Sequence, residues 1–264
     1  MTPSTRAGTP VTHPVLSDTL VMTRRNLLHY VRVPSLVIFS TITPVMFVVL
    51  FAFVFGGAIK VPGLSYVDFL MPGIFVQTIA FGSTQTGIGL AEDLSRSMVD
   101  RFRSLPMTRF AVLAGRILAD TLRNILVVVL MTWVGLMVGF RFHNGLLPIV
   151  GGLGLLVLFA VAFSWISAVI GLSVGNVEAA QSAGFVWVFP LTFASSAFVP
   201  VFTMPGWLQA FAKANPVTIV VDALRALFLG VGPTSTLVLR SLAWIVAITV
   251  VFVPLAVRRY RRLP

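Results

Sequence analysis

Apolar positions in this chain gather in long blocks. Six stretches carry no ionisable residue: between Arg32 and Lys60, Asp68 and Glu92, Arg123 and Arg141, His143 and Glu178, Glu178 and Lys213, and Arg240 and Arg258. A bilayer-crossing helix takes about 20 apolar residues, so each stretch holds one span. The fourth and fifth are longer than one span and too short for two with a turn. The pattern predicts an all-α integral membrane protein with six transmembrane helices.

The polar residues between these blocks orient the chain. With the N-terminus inside, Arg6, Arg24, Arg25 and Arg32, then Arg96, Arg101, Arg103, Arg109, Arg116 and Arg123, then Arg258, Arg259, Arg261 and Arg262 are cytoplasmic. Lys60, Arg141, Lys213, Arg225 and Arg240 are the remainder of the 19 basic residues. An excess of Lys and Arg marks the cytoplasmic side, so both termini are expected there.

Shorter periodicities fill in the connections. Residues 1–15 read as a disordered tail, rich in Pro, Thr and Gly. Over 16–32, Leu16, Leu20, Val21, Leu27, Leu28 and Val31 share one helical arc, with Arg24 inside it. This predicts an interfacial helix along the inner leaflet. In the cytoplasmic segment 92–109, Leu94, Met98, Phe102 and Leu105 make one helical face, and Pro106 ends the helix. A short helix with an apolar face and a charged rim suits docking to a partner. Beyond the fifth stretch, Pro205, Trp207, Leu208 and Phe211 open one short helix. Asn215-Pro216 caps a second, striped by Val217, Val220, Val221, Leu224 and Phe228 and stopped by Gly230, Gly232 and Pro233. Together they predict an outer helical hairpin between spans five and six.

Composition narrows the function. Only 10% of residues are charged, against 57% hydrophobic; a soluble domain carries about 25% charged residues. The net charge of +11 comes from residues flanking apolar runs, which explains it by topology rather than nucleic-acid binding. There is no cysteine, which excludes disulfides, thiol catalysis and cysteine-based metal sites. The first apolar run is too long for the core of a cleavable signal, so no such leader is expected. The loop G-x-x-x-x-G-K-[ST] that cradles nucleotide phosphates is absent; any ATP hydrolysis belongs to a separate chain. No base stands near Ser164, Ser167, Ser195 or Ser196, so intramembrane hydrolysis is not expected. Asp120 and Arg123 form an i,i+3 pair where the third span begins, and Glu178 sits beside Asn176 and Gln181. The lack of ionisable groups deeper in the spans weighs against an ion-coupled secondary carrier, the alternative reading. Gly135-x-x-x-Gly139 and Gly171-x-x-x-Gly175 permit close helix approach.

Several stretches taken in order carry a resemblance: Tyr66-Val67-Asp68-Phe69-Leu70-Met71-Pro72-Gly73, Asp100-Arg101-Phe102-Arg103-Ser104-Leu105-Pro106-Met107, Gly115-Arg116 to Ala119-Asp120, Asn176 to Gln181, Met204-Pro205-Gly206-Trp207-Leu208, and Asn215-Pro216-Val217-Thr218. The chain resembles the ABC-2 type transporter permeases, in particular the daunorubicin-resistance-like drug and lipid exporters, over nearly all of 16–264. The resemblance implies one transmembrane domain in a bacterial plasma membrane. It implies a second permease copy or a sister permease, and separate ABC ATPase subunits that bind ATP and Mg. This chain would hold no cofactor, metal or catalytic residue of its own. Carried over by the resemblance, the ATPase-coupling contacts are Glu92, Asp93, Arg96, Met98, Asp100, Arg101, Phe102 and Arg103, with Arg24 and Arg25 from the interfacial helix. Gln77, Thr78, Ser83, Gln85 and Asn124 either line a substrate path or bond between helices.

Overall fold

Residues 15–32, 34–59, 61–95 and 109–262 are described by the computed structural model. Among them the regular structure is helical. In order come α1 (Val15–Arg32), α2 (Pro34–Leu50, continued by one π-helical turn Phe51–Phe55), α3 (Tyr66–Ser95), α4 (Arg109–Val138), α5 (Leu146–Val174), α6 (Val177–Phe193), a single 3₁₀ turn Val201–Thr203, α7 (Gly206–Ala214), α8 (Pro216–Leu229) and α9 (Thr234–Arg262). Among the described residues four helices are long and apolar enough to cross a bilayer: Tyr66–Ser95, Phe110–Val138, Leu146–Val174 and Thr234–Arg262; Thr41–Phe55 is a shorter apolar helix.

Helix α3 is the axis of the bundle. Its apolar window is 83% buried, against 17% for that of α9. It packs on α4, α5, α6 and α8, while α1 lies along α4 and α9 lies along α5 and α8. Lipid tails are as apolar as Leu, so these helices associate by close packing rather than by escape from solvent. Glycine supplies that closeness. A Cβ on Gly171 would strike the carbonyl of Gly87, and one on Gly87 would strike the carbonyl of Ser167. The helix-approach motifs therefore work by halves: Gly171 and Gly135 face neighbouring helices, whereas Gly175 is the left-handed cap of α5 and Gly139 lies past the end of α4. An aromatic cluster of Phe75, Phe140, Phe142 and Phe228 joins α3, the α4–α5 loop and α8 edge to face. Each such pair adds about 0.5–1.5 kcal/mol beyond its area.

Capping explains the turns. Asn176 starts α6, its side chain accepting from Ala179 N at 2.7 Å. Asn215 accepts from Val217 N at 2.9 Å to cap α8, and its Nδ2 donates to Leu191 O and Ala194 O at the end of α6. One side chain thus satisfies groups at two helix ends. The left-handed Gly230 ends α8, and Asn144 Nδ2 donates to Ala226 O and Leu227 O, its last carbonyls. The predicted cap at Asn215, proline start and glycine stop all occur. The fifth apolar stretch is divided: α6 ends at Phe193, and its 17 residues span about 26 Å. Pro200 immediately precedes the 3₁₀ turn.

Candidate functional site

Helix α1 has two unlike faces. Leu16, Leu20, Val21, Leu28 and Val31 are exposed, while Asp18, Met22, Thr23, Asn26 and Tyr30 are buried. The apolar stripe read from the sequence therefore points away from the bundle, and a largely polar face packs inward. Thr23 Oγ1 donates to Gly115 O at 3.3 Å, where α1 comes against α4. A Cβ on Gly115 would clash with Met22 and the Thr19 carbonyl, so this contact depends on glycine.

A buried polar cluster continues from that contact. Tyr30 donates its phenol to Asp120 Oδ1, and Asp120 Oδ2 accepts from Thr86 Oγ1 at 2.7 Å and Arg116 Nε at 3.2 Å. Arg123 lies over the Tyr30 ring, 5.3 Å from its centroid, and donates through Nη2 to Gly82 O at 2.7 Å and Asn124 Oδ1 at 2.9 Å. The ion pair of Asp120 is thus with Arg116, one helical turn back, rather than with Arg123 as the sequence spacing suggested. Asp120 has no exposed surface; a buried carboxylate is tolerable only when charge and hydrogen bonds compensate it. Burial first and the Asp120 charge second push the Tyr30 phenol well above the ordinary tyrosine range.

A second link crosses from α1 to the C-terminal end of α3, where Arg25 Nη2 meets Asp93 Oδ1 at 3.2 Å. Of the predicted coupling residues, Arg25 and Asp93 are therefore joined to each other. Arg24 is exposed on the outer face of α1, and Glu92 is half-buried on the last turn of α3. Arg96, Met98, Asp100, Arg101, Phe102 and Arg103 lie outside the described residues.

The opposite end of the bundle holds its own charged anchor. Arg225 on α8 is buried and donates to Phe69 O through Nε and Nη2 (3.1 and 2.9 Å), to Ser196 O at 2.7 Å and to Asp222 Oδ1 at 2.9 Å. Its guanidinium also sits 3.6 Å from the Phe69 ring centroid. Asp68, on the first turn of α3, accepts from Arg141 N at 3.0 Å. Arg225 thus ties α8 to α3, and Asp68 ties the α4–α5 loop to it.

Gln77, Thr78, Ser83 and Asn124 are buried and Gln85 is half-buried. Ser83 bonds to Ile79 O and Ala160 O, the inter-helix role. Gln77 Oε1, Thr78 Oγ1 and Asn124 Nδ2 have no hydrogen-bond partner among the described residues.

A family model described as "ABC-2 type transporter" matches residues 17–229. The chain belongs to the ABC-2 type transporter family. It is 35% identical over 254 residues to the daunorubicin resistance ABC transporter permease protein DrrB1 of Streptomyces coeruleorubidus, covering 96% of this chain and 89% of the relative. It is 30% identical over 249 residues to the probable doxorubicin resistance ABC transporter permease protein DrrC of Mycobacterium tuberculosis, covering 94% and 89%. A putative transport permease, ycf38 of Pyropia yezoensis, shares 24% identity over 88% of this chain and 81% of its own length. These relatives are transport permeases, in keeping with the apolar helices of this ABC-2 family member.

Sequence reasoning missed Tyr30, Thr86, Arg116 and Arg225 as organising residues. The Arg116–Asp120 spacing of four was available as a signal. Nothing in the chain order points to Tyr30 or Thr86, which stand 90 and 34 residues from Asp120.

Proposed function

We propose that this chain is the membrane-spanning subunit of an ATP-driven exporter that moves amphipathic drugs or lipids out of a bacterial cell. The observation that carries this reading is the double attachment of α1, by Arg25 to Asp93 and by Tyr30 to Asp120. Both attachments flank residues 96–108, the segment whose sequence suits docking. A push on that segment or on α1 reaches α3, the bundle axis, through the Arg25–Asp93 ion pair and the Tyr30–Asp120–Thr86 hydrogen bonds.

In this reading residues 16–264 form one domain of six spans, with α2 and α6 completing the four long helices. Both termini and 92–109 face the cytoplasm, α1 lies along the inner leaflet with its apolar face toward lipid, and α7–α8 form the outer hairpin. Separate ATPase subunits bind ATP and Mg and contact Glu92, Arg96, Met98, Asp100, Arg101, Phe102, Arg103 and Arg24. A second copy or a sister permease completes the path. The relatives named for daunorubicin and doxorubicin resistance support the substrate class.

Co-expression with the ATPase candidate encoded beside it, and purification through a tag on this chain, tests the reading. The ATPase should co-purify, and Arg101→Ala with Phe102→Ala should abolish association or substrate-stimulated turnover. Transport that persists with no ATPase bound would overturn the reading in favour of a secondary carrier.

A further inference from the structure

Helix α9 ends in a turn that carries Arg258, Arg259, Arg261 and Arg262, all exposed. That turn does not stand clear of the bundle. Tyr260, in the midst of the arginines, and Ala256, one turn earlier, are buried in a cluster with Leu90 of α3, Leu113 of α4 and Trp165 of α5. The arginines therefore sit on a fixed backbone, with one side of the turn packed and the other open.

Three of them are unpaired. Arg258, Arg259 and Arg262 form no ion pair with a described residue, and α9 contains no acidic residue. The nearest carboxylates beyond the cluster are taken: Asp93, one turn after Leu90, by Arg25, and Asp120, one turn after Ile117, by Arg116. The helix macrodipole places roughly half a negative charge at the C-terminus, which one guanidinium more than offsets.

Apolar surface leads straight to these charges. Val251, Leu255, Arg258, Arg259 and Arg262 are spaced i, i+4, i+7, i+8 and i+11, one helical face, and all are exposed. Topology accounts for arginines at a cytoplasmic helix end. It does not account for their alignment with an exposed apolar stripe, on a turn buried on its other side. A soluble polyanion matches the charges but not the stripe. A ligand that matches both is anionic at one end and apolar along the rest.

We infer that the last turns of α9 form a binding surface for an anionic phospholipid, with an acyl chain along Val251 and Leu255 and the headgroup phosphate at Arg258, Arg259 and Arg262. Arg258 and Arg262 are about 6 Å apart along the axis, so two guanidiniums reach one phosphate, each with paired N–H donors. A zwitterionic lipid brings a cation beside the same phosphate and is the weaker ligand. The inference needs α9 to leave the bilayer at its basic turn, as in the reading above. It needs neither an ATPase nor transport, so the two can fail separately.

The test uses the full chain in nanodiscs of equal phosphatidylglycerol and phosphatidylcholine. Lipids that stay bound on release are counted by native mass spectrometry. The wild type should retain phosphatidylglycerol in excess. Arg258→Gln with Arg259→Gln and Arg262→Gln should lower that excess by about fivefold or more, the effect of one or more basic residues at an anionic surface. Lysine at the same three positions should keep most of it. Salt tests the surface without a substitution: the wild-type excess should fall between ~0.1 M and ~1 M, as the screening length shortens from about 10 to about 3 Å. No excess in the wild type, an excess that neither glutamine nor salt moves, or equal losses with lysine and glutamine would overturn the surface. A glutamine variant that keeps its phosphatidylglycerol but no longer co-purifies the ATPase would assign the turn to a protein partner instead.

Discussion

The Tyr30 phenol on α1 donates to the Asp120 carboxylate on α4, across 90 residues of chain. The contact closes a cluster in which Asp120 also receives Thr86 from α3 and Arg116 from its own helix. Three helices thus share one buried carboxylate, in the half of the bundle where α3 ends and α4 begins.

Removing the members of this cluster should not be equivalent. Tyr30→Phe leaves Asp120 with two partners and should cost about 1–2 kcal/mol. Asp120→Ala leaves the buried Arg116 charge uncompensated and should cost about 3–5 kcal/mol. Chemical or thermal unfolding of the purified chain measures both, and equal losses would refute the hierarchy.

The same phenol makes stability depend on alkaline pH. Its folded value is raised above the ordinary one, so above pH ~10 the unfolded chain loses this proton before the folded chain does. The Tyr30 contribution should be complete below that pH and decline as pH rises through it toward the folded value. Unfolding midpoints should fall more steeply over this range in the wild type than in Tyr30→Phe.

Arg25 and Asp93 should matter for coupling more than for stability. The Arg25 side chain is 35% exposed, and an ion pair so placed contributes about 0–1 kcal/mol. Arg25→Asp or Asp93→Arg alone should reduce substrate-stimulated ATP turnover of the assembled complex. The double reversal should restore part of it, with unfolding midpoints nearly unchanged throughout.

Two glycines should give opposite results. Gly171→Ala places a methyl against the Gly87 carbonyl and should destabilise by about 1–3 kcal/mol as α3 and α5 separate. Gly154→Ala meets nothing within 4 Å and should be neutral or stabilising by up to about 1 kcal/mol. Unfolding midpoints of the two variants decide it.

The Arg225 anchor cannot be replaced by another cation. Lysine cannot reach Phe69 O, Ser196 O and Asp222 together, so Arg225→Lys should cost about 2–4 kcal/mol in unfolding free energy. Arg240→Lys, on exposed α9 surface, is the neutral comparison.

Local chemistry made much of this protein legible from its residues. The apolar runs, the cap at Asn215 and the stop at Gly230 depend on neighbours within one helical turn, and a linear reading reaches them. The family too was legible, from motifs in order along the chain.

What only the tertiary structure decided was which polar groups are buried, and against what. Arg123 was near enough in sequence to be given Asp120, yet Arg116 holds it, while Arg123 turns to Gly82 O and Asn124 Oδ1. The stripe on α1 was read correctly, but its direction is set by the polar face that Thr23 and Tyr30 present to α4. Gly171 and Gly175 look alike in sequence and differ because only one faces another backbone. In lipid, apolar surface does not choose between bilayer and bundle, so hydrogen bonds and close backbone contacts choose instead, and their partners come from elsewhere in the chain.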